Sequence, residues 1–311
     1  MSAPAPAPAL AVRFAGLDCT SPVWTASGTF GYAAELAPHL DLRRLGAVVT
    51  KGISPKPRAG NRPPRICETA SGMINSIGLE NVGVDGLAEK KLPFLRRAGT
   101  HVVVNFFGET FDEYVDCGRR LAALEGVDAL EMNVSCPNID KGGVEFGVVP
   151  EVLRRLVRAC RDAIPKPLFV KLTPNTSDIV ALARAAVEGG ADGLSVINTI
   201  TALAIDARRR RPRIATTYGG LSGPAIKPIA LRMVHQVHRA LPDVPISGIG
   251  GITSGEDVVE FLLAGATTVQ VGTQSFVEPG AAGRILGELE EFLRSESISD
   301  VRELIGALRS G

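Results

Sequence analysis

Four stretches of the chain share one pattern: a glycine closing a helical segment, a small residue or two, then an unbroken apolar run that stops at a polar residue or a glycine. They are LGAVVTKG (45–52), EGVDALEMNVS (125–135), EGGADGLSVINT (188–199) and AGATTVQVGT (264–273). A run that is apolar at successive positions suits a strand buried on both faces, as in a parallel sheet. The glycine before it suits the left-handed residue that closes a helix. Four further apolar runs fit the gaps: VWTASG (23–28), HVVVNF (101–106), PLFVKL (167–172) and VPISGIGG (244–251).

Between these runs the period changes. In EVLRRLVRACRDAI (151–164), Val152, Leu153, Leu156, Val157, Cys160 and Ile164 recur at roughly helical spacing. TSDIVALARAAVEGG (176–190) opens with Thr and Ser before Asp, a helix-start signal. Eight strands alternating with about eight helices read as an α/β fold, a (β/α)8 TIM barrel, here preceded by an N-terminal hairpin. A doubly wound open sheet is the runner-up. The strand count and the lack of an early G-x-G-x-x-G count against it.

Two connections are too long for simple barrel units, one from Gly52 to about Leu79 and the other from Thr199 to Pro224. Both follow strand ends, where barrel loops build a site, and both read as excursions covering the barrel mouth. The run Arg208–Arg211 lies in the second. A solvated hairpin flank explains it better than a nucleic-acid role.

Composition narrows the classes. The chain has 311 residues, 45% hydrophobic with 34 glycines, enough for one large core or two modest ones. Its net charge of +1 gives no global attraction to nucleic acid or an anionic membrane, and 5% aromatics argue weakly against a base-stacking surface. No apolar run approaches the roughly 18 residues of a membrane span. The opening MSAPAPAPAL lacks the basic-then-apolar pattern of a secretory signal, so a cytoplasmic protein is expected. Residues 1–10 are expected to form a disordered Ala/Pro tail and residues 11–311 a single domain. Five cysteines, at 19, 67, 117, 136 and 160, form neither a disulfide framework nor a metal or cluster ligand set.

The C-terminal strand ends carry Ser27, Lys51, Asn105, Asn133, Lys171 and Asn198, then Gly250 with Gly251 and Gly272 with Thr273. This ring is poor in carboxylates and histidine, which excludes paired-acid glycoside hydrolysis and offers no metal set. The four histidines, at 39, 101, 235 and 238, fall elsewhere and read as surface or packing residues. Two lysines among neutral amides suit a planar, polar, anionic heterocycle. Glycines at the last two strand ends let backbone N–H groups approach a phosphate, the site such barrels commonly form after strands seven and eight.

Taken together, several stretches resemble the class 1 dihydroorotate dehydrogenases. They are TASGTFG (25–31), TKGIS (50–54), PRICETASGMINSIGLENVGVD (64–85), NVSCPN (133–138), VKLTPN (170–175), INT (197–199), GGLSGPAIKPIALRMV (219–234) and GIGGITSGEDVVEFLLAGATTVQVGT (248–273). The resemblance covers nearly the whole chain after the tail. It implies an FMN-containing barrel that oxidises dihydroorotate to orotate in pyrimidine synthesis. By position it implies FMN binding by Ser27, Lys51, Gly52, Asn105, Asn133 and Lys171, and by Ile197, Gly223, Gly250, Gly251, Gly272 and Thr273. It assigns the substrate to Lys51, to Asn75, Ser76, Ile77, Gly78 and Leu79, and to Asn133, Asn138, Asn198 and Thr199.

The family's catalytic base stands at the position of Cys136. In the family's reaction a proton leaves C5 of the substrate and a hydride leaves C6 for the flavin, from opposite faces of the ring. A loop leaving a strand end can put a base on the face away from the flavin, and Pro137 stiffens the turn after it. A free thiol has a pKa of about 8.5 and supplies appreciable thiolate near neutral pH, more so beside lysines. The membrane-associated class carries serine here and an N-terminal membrane helix; this chain has Cys136 and no such helix.

Within class 1, the stretches at 64–85 and 219–234 look more like the NAD-dependent subclass (class 1B) than the fumarate-using class 1A. That implies a homodimer of catalytic chains within a heterotetramer, with FAD and a 2Fe-2S cluster on the partner electron-transfer subunit. No membrane or nucleic-acid partner is expected. The rival readings are another FMN barrel, either dihydropyrimidine dehydrogenase-like or dihydrouridine synthase-like, and a non-catalytic phosphate-ligand-binding barrel.

Overall fold

The structure, a computed structural model, describes residues 7–135, 137–138 and 144–309. Eight parallel strands close into a barrel: β1 (Val23–Thr25), β2 (Ala47–Val49), β3 (His101–Phe106), β4 (Ala129–Asn133), β5 (Leu168–Leu172), β6 (Gly193–Val196), β7 (Ile246–Ile249) and β8 (Thr268–Val271). Each pairs with its sequence neighbours, and β8 closes onto β1 with Val271 opposite Thr25. All eight lie within the apolar runs that the sequence marks as strands. Six of the seven connections between consecutive strands carry α-helix, and helix also follows β8. The first, between β1 and β2, holds only two 3-10 turns, Ala37–His39 and Leu42–Arg44, in a stretch punctuated by Gly28, Gly31 and Pro38.

The helix Pro150–Ala163 shows why the pattern folds this way. Proline at its first position gives up an N–H that would have no intrahelical partner. Leu153, Leu156, Val157 and Cys160 are buried against the barrel, and burying a leucine completely stabilises the fold by about 1.5–3 kcal/mol. The helix Ile179–Gly189 starts one step later than its Thr-Ser signal. Asp178 is the cap, its carboxylate accepting the Ala181 N–H at 2.9 Å, and Gly190 ends it at φ 104°.

Of the four glycines that precede strands in the repeated pattern, Gly126, Gly190 and Gly265 have positive φ. Gly46 does not. Its reason is space: a Cβ there would stand 2.2 Å from the Ser21 carbonyl and 2.5 Å from the Trp24 indole nitrogen.

An antiparallel hairpin, Val12–Phe14 with Leu17–Cys19, closes the N-terminal end of the barrel. Phe14 packs edge-on against both Trp24 and Phe169, each at 4.9 Å between centroids. Ala9, inside the stretch expected as a tail, bonds its N–H to Ser299 and its carbonyl to Val301.

The two excursions meet over the other end. Strands Ile66–Thr69 and Gly72–Asn75 from the first pair with Ile200–Ala202 and Gly219–Ser222 from the second in one antiparallel sheet. This sheet ties Asn75 to Gly220 across sequence-distant segments. Arg208–Arg210 form the exposed turn of a small hairpin, Ile205–Asp206 with Arg211–Pro212, rather than a flank of it.

Candidate functional site

A cavity of about 810 Å³ opens at the C-terminal ends of the barrel strands, beneath the sheet formed by the two excursions. Its floor includes Lys171 from β5 and Asn105 from β3, both buried. The Lys171 ammonium donates to Ser27 Oγ at 3.1 Å and stands 3.9 Å from Glu131 Oε1. Asn105 Nδ2 donates to the same Glu131 oxygen at 2.8 Å. Glu131 is wholly buried below the cavity and does not figure in the strand-end ring expected from the sequence.

Neutral amides form a second part of the lining. Asn198 donates from Nδ2 to Asn133 Oδ1 at 3.1 Å and to Ser135 Oγ at 3.0 Å, while its own Oδ1 accepts the Thr199 N–H at 2.8 Å. Tyr114 fixes the strand end beside them by donating its hydroxyl to the Asn133 carbonyl at 2.7 Å. Asn75 donates to the Gly220 carbonyl at 3.2 Å. Glycine is needed at 220, because a Cβ there would fall 2.1 Å from Thr199 Oγ1.

Lys51 reaches the cavity from the loop after β2, and its side chain has no hydrogen bond or ion pair to any described residue. Close by in the lining runs the stretch Asn75, Ser76, Ile77, Gly78 and Leu79. Gly78 and Leu79 both have positive φ, 74° and 58°; for leucine this is a strained conformation, costing about 1–3 kcal/mol. Asn81 holds it. That buried amide donates to the Leu79 carbonyl and to Ser54 Oγ and accepts the N–H groups of Ser54 and Gly83. One side chain therefore joins the loop carrying Lys51 to the loop carrying Asn75–Leu79. The Ser76 hydroxyl is buried without a partner among the described residues.

The other end of the cavity is built of backbone. Gly223, Gly250 and Gly251 have φ of 96°, 134° and 75°. A Cβ on Gly251 would lie 2.9 Å from the Gly223 carbonyl, and one on Gly223 would lie 3.6 Å from Thr273 Cγ2, so three separate loops converge here. Thr273 donates to Ser222 Oγ at 2.8 Å. A Cβ on Gly28 would meet nothing within 4 Å, which leaves open space beside the loop after β1. Asp257 secures the loop after β7, accepting the Thr253 N–H and hydroxyl, the Ser254 N–H and the Lys227 ammonium. Burial raises its pKa, but the Lys227 ammonium and the bonds from Thr253 outweigh that and hold it below the ordinary carboxylate range.

Ser27, Lys51, Gly52, Asn105, Asn133, Lys171, Ile197 and Asn198 thus line one cavity with Thr199, Gly223, Gly250, Gly251, Gly272, Thr273 and the stretch from Asn75 to Leu79. Cys136 lies outside the described residues. Asn138 is described by its backbone alone, paired with Val144. Burial pushes the thiols of Cys19 and Cys160 up to about 12 and that of Cys117 higher than usual, so these three are packing residues with no thiolate near neutral pH. No group of three or more His, Cys, Asp or Glu among the described residues is placed to hold a metal ion. The lining also includes residues that sequence reasoning passed over, among them Arg65, Tyr218 and Ser222. Arg65 pairs with Glu80 at 2.5 Å.

A sequence model of the family described as dihydroorotate dehydrogenase matches residues 9–293. The chain is 54% identical over 301 residues to a Geobacter sulfurreducens protein named dihydroorotate dehydrogenase B (NAD(+)), catalytic subunit, spanning 97% of this chain and 98% of that one. Proteins of the same name from Trichlorobacter lovleyi and Geobacter metallireducens are 56% and 53% identical, each over 97% of this chain and 99% of the relative.

Proposed function

From the premise that the chain belongs to the dihydroorotate dehydrogenase family, we propose that it is the catalytic subunit of an NAD-linked, FMN-dependent dihydroorotate dehydrogenase acting in the cytoplasm. The observation that carries the reading is the cavity itself. A cradle of three converging glycine loops occupies one part of it, and two lysines among neutral amides occupy another. A phosphorylated ligand with a planar polar ring matches that division, which supports FMN.

Gly223, Gly250, Gly251, Gly272 and Thr273 would hold the phosphate through backbone N–H groups and a hydroxyl. Ser27, Lys51, Gly52, Asn105, Asn133, Lys171 and Ile197 would hold the ring system. FMN, when bound, supplies the acceptor for the hydride from substrate C6. The chain's own groups do the rest. Asn75 to Leu79, Asn133, Asn138, Asn198 and Thr199 would fix the edges of the substrate ring, each amide donating and accepting along one plane. Lys51, which makes no hydrogen bond to a described residue and whose charge otherwise reaches Glu80, would pair with the substrate's negative charge. Cys136 would remove the C5 proton as a thiolate.

The names of the relatives as catalytic subunits support a separate partner subunit; in our proposal it carries FAD and a 2Fe-2S cluster, with two of each chain in the assembly. No described helix is long and apolar enough to cross a membrane. The test is direct. The purified chain is expected to be yellow, to lose its flavin absorbance when dihydroorotate is added anaerobically, and to change its spectrum with orotate. A flavin band indifferent to both pyrimidines would overturn the substrate assignment, and a colourless, flavin-free chain would overturn the cofactor.

A further inference from the structure

The barrel interior is ordinarily filled by branched apolar side chains, yet below the cavity it holds a carboxylate at zero exposure, Glu131. Every described polar neighbour of that carboxylate is a donor. Oε1 accepts from Asn105 Nδ2 at 2.8 Å and faces the Lys171 ammonium at 3.9 Å. Oε2 accepts from Ser195 Oγ at 2.5 Å and Gln270 Nε2 at 2.8 Å. Two of the four, Asn105 and Lys171, line the cavity, while Ser195 and Gln270 do not. Gln270 turns its amide to this task, donating also to Ser195 Oγ at 3.3 Å and leaving its own Oε1 buried without a partner among the described residues.

Such an arrangement is costly. A buried carboxylate is tolerated only when paired and hydrogen-bonded, and replacing an ion pair by apolar residues is often neutral for stability. Its placement instead serves the floor. One oxygen is anchored from β6 and β8, and the other meets Asn105 and Lys171, its cavity-lining partners among the described residues.

We infer that Glu131 is a positioning residue: it orients the Asn105 amide and the Lys171 ammonium toward the cavity and tempers the positive charge that Lys171 presents to the bound flavin. The inference rests on the functional reading above. Its consequence is electrostatic. With the carboxylate neutralised, Lys171 acts uncompensated in a low-dielectric site, where charges interact strongly, and uptake of electrons by the flavin becomes easier.

The test is the two-electron reduction equilibrium of bound FMN, measured by dye equilibration on the purified holoprotein without turnover. Glu131→Gln is expected to retain FMN and to shift that equilibrium at least tenfold toward reduction, about 30 mV upward for a two-electron couple. Gln270 lines no part of the cavity, and its side chain donates to Glu131 and Ser195; the Gln270→Met variant therefore acts on the floor through Glu131. It removes a donor from the carboxylate and concentrates its charge on Lys171, so the expected shift is at least threefold in the opposite direction. A loosened fold would move both variants the same way. Shifts of one sign, or below threefold in both, overturn the inference while a flavin-loaded wild type leaves the functional reading standing. If Glu131→Gln does not fold, the sign and size of the Gln270→Met shift decide. A wild-type chain without flavin overturns the functional reading and this inference with it.

Discussion

Lys51 and Lys171 carry the same charge into one cavity under different restraint. Lys171 is held by Ser27 and Glu131, whereas Lys51 makes no hydrogen bond or close ion pair with a described residue and only its charge reaches Glu80. A charged hydrogen bond to a ligand contributes about 1.5–3 kcal/mol, so Lys51→Met should weaken orotate binding roughly 10- to 100-fold, measured by flavin difference spectra on FMN-loaded protein. Cys136→Ala is expected to keep FMN and orotate but to slow flavin bleaching by dihydroorotate about 10²–10⁴-fold, in an anaerobic stopped-flow experiment. A loss under tenfold would assign the proton to another group. Cys136→Ser should stay slow except at high pH, because a hydroxyl supplies far less anion. At this scale every strand-end residue the sequence singled out lines one cavity. Glu131 was not singled out, because it sits within β4 rather than at its end. A lone acid between Leu130 and Met132 in an otherwise apolar run is the signal that could have found it.

Elements bring these residues together, and the loop after β7 shows how much rests on one acid. Asp257 stands at the third position of the helix Gly255–Leu263 and completes a capping box with Ser254 while gripping Thr253 and Lys227. Its depressed pKa fixes the sign of the pH dependence. The stability it adds is full above the ordinary carboxylate value of 3.8 and is lost as pH falls through the lower folded value. Asp257→Ala should therefore cost about 2 kcal/mol at pH 7, with a gap in denaturant midpoint that closes below pH 3.8. It should also weaken FMN retention, since Gly250 and Gly251 precede Thr253 in the same loop. The barrel strands were readable because unbroken apolar runs have few other homes. The sheet joining the two excursions was not. Its strands are short, its pairing unites residues such as Asn75 and Gly220, and only the close approach at Gly219 and Gly220, seen in three dimensions, explains their composition.

For the whole molecule, the question is where the electrons go. The barrel supplies one cavity with the features of a phosphorylated-ring site, and the described residues hold no metal or cluster ligand set beside it. Flavin reoxidation in the proposed reaction needs an acceptor, and the cavity mouth is where one can reach the site. That rim is not uniformly polar: Ile66, Tyr218 and Phe276 line the opening and are 54%, 62% and 59% exposed. Apolar and aromatic groups with a polar surround suit the centre of a protein contact better than free solvent. The names of the relatives, NAD(+)-linked and catalytic subunit, agree with a second chain delivering electrons to NAD. The chain purified alone is accordingly expected to reduce artificial dyes with dihydroorotate but to reduce NAD⁺ poorly, and co-expression with an electron-transfer subunit should restore NAD⁺ reduction while leaving the dye rate within about threefold. Parallel steady-state assays with dye, NAD⁺ and fumarate separate the alternatives. Efficient fumarate reduction by the isolated chain, with no NAD⁺ activity in any assembly, would replace the acceptor while keeping the pyrimidine chemistry, because the groups proposed to hold the substrate line the cavity and the acceptor meets what its rim exposes.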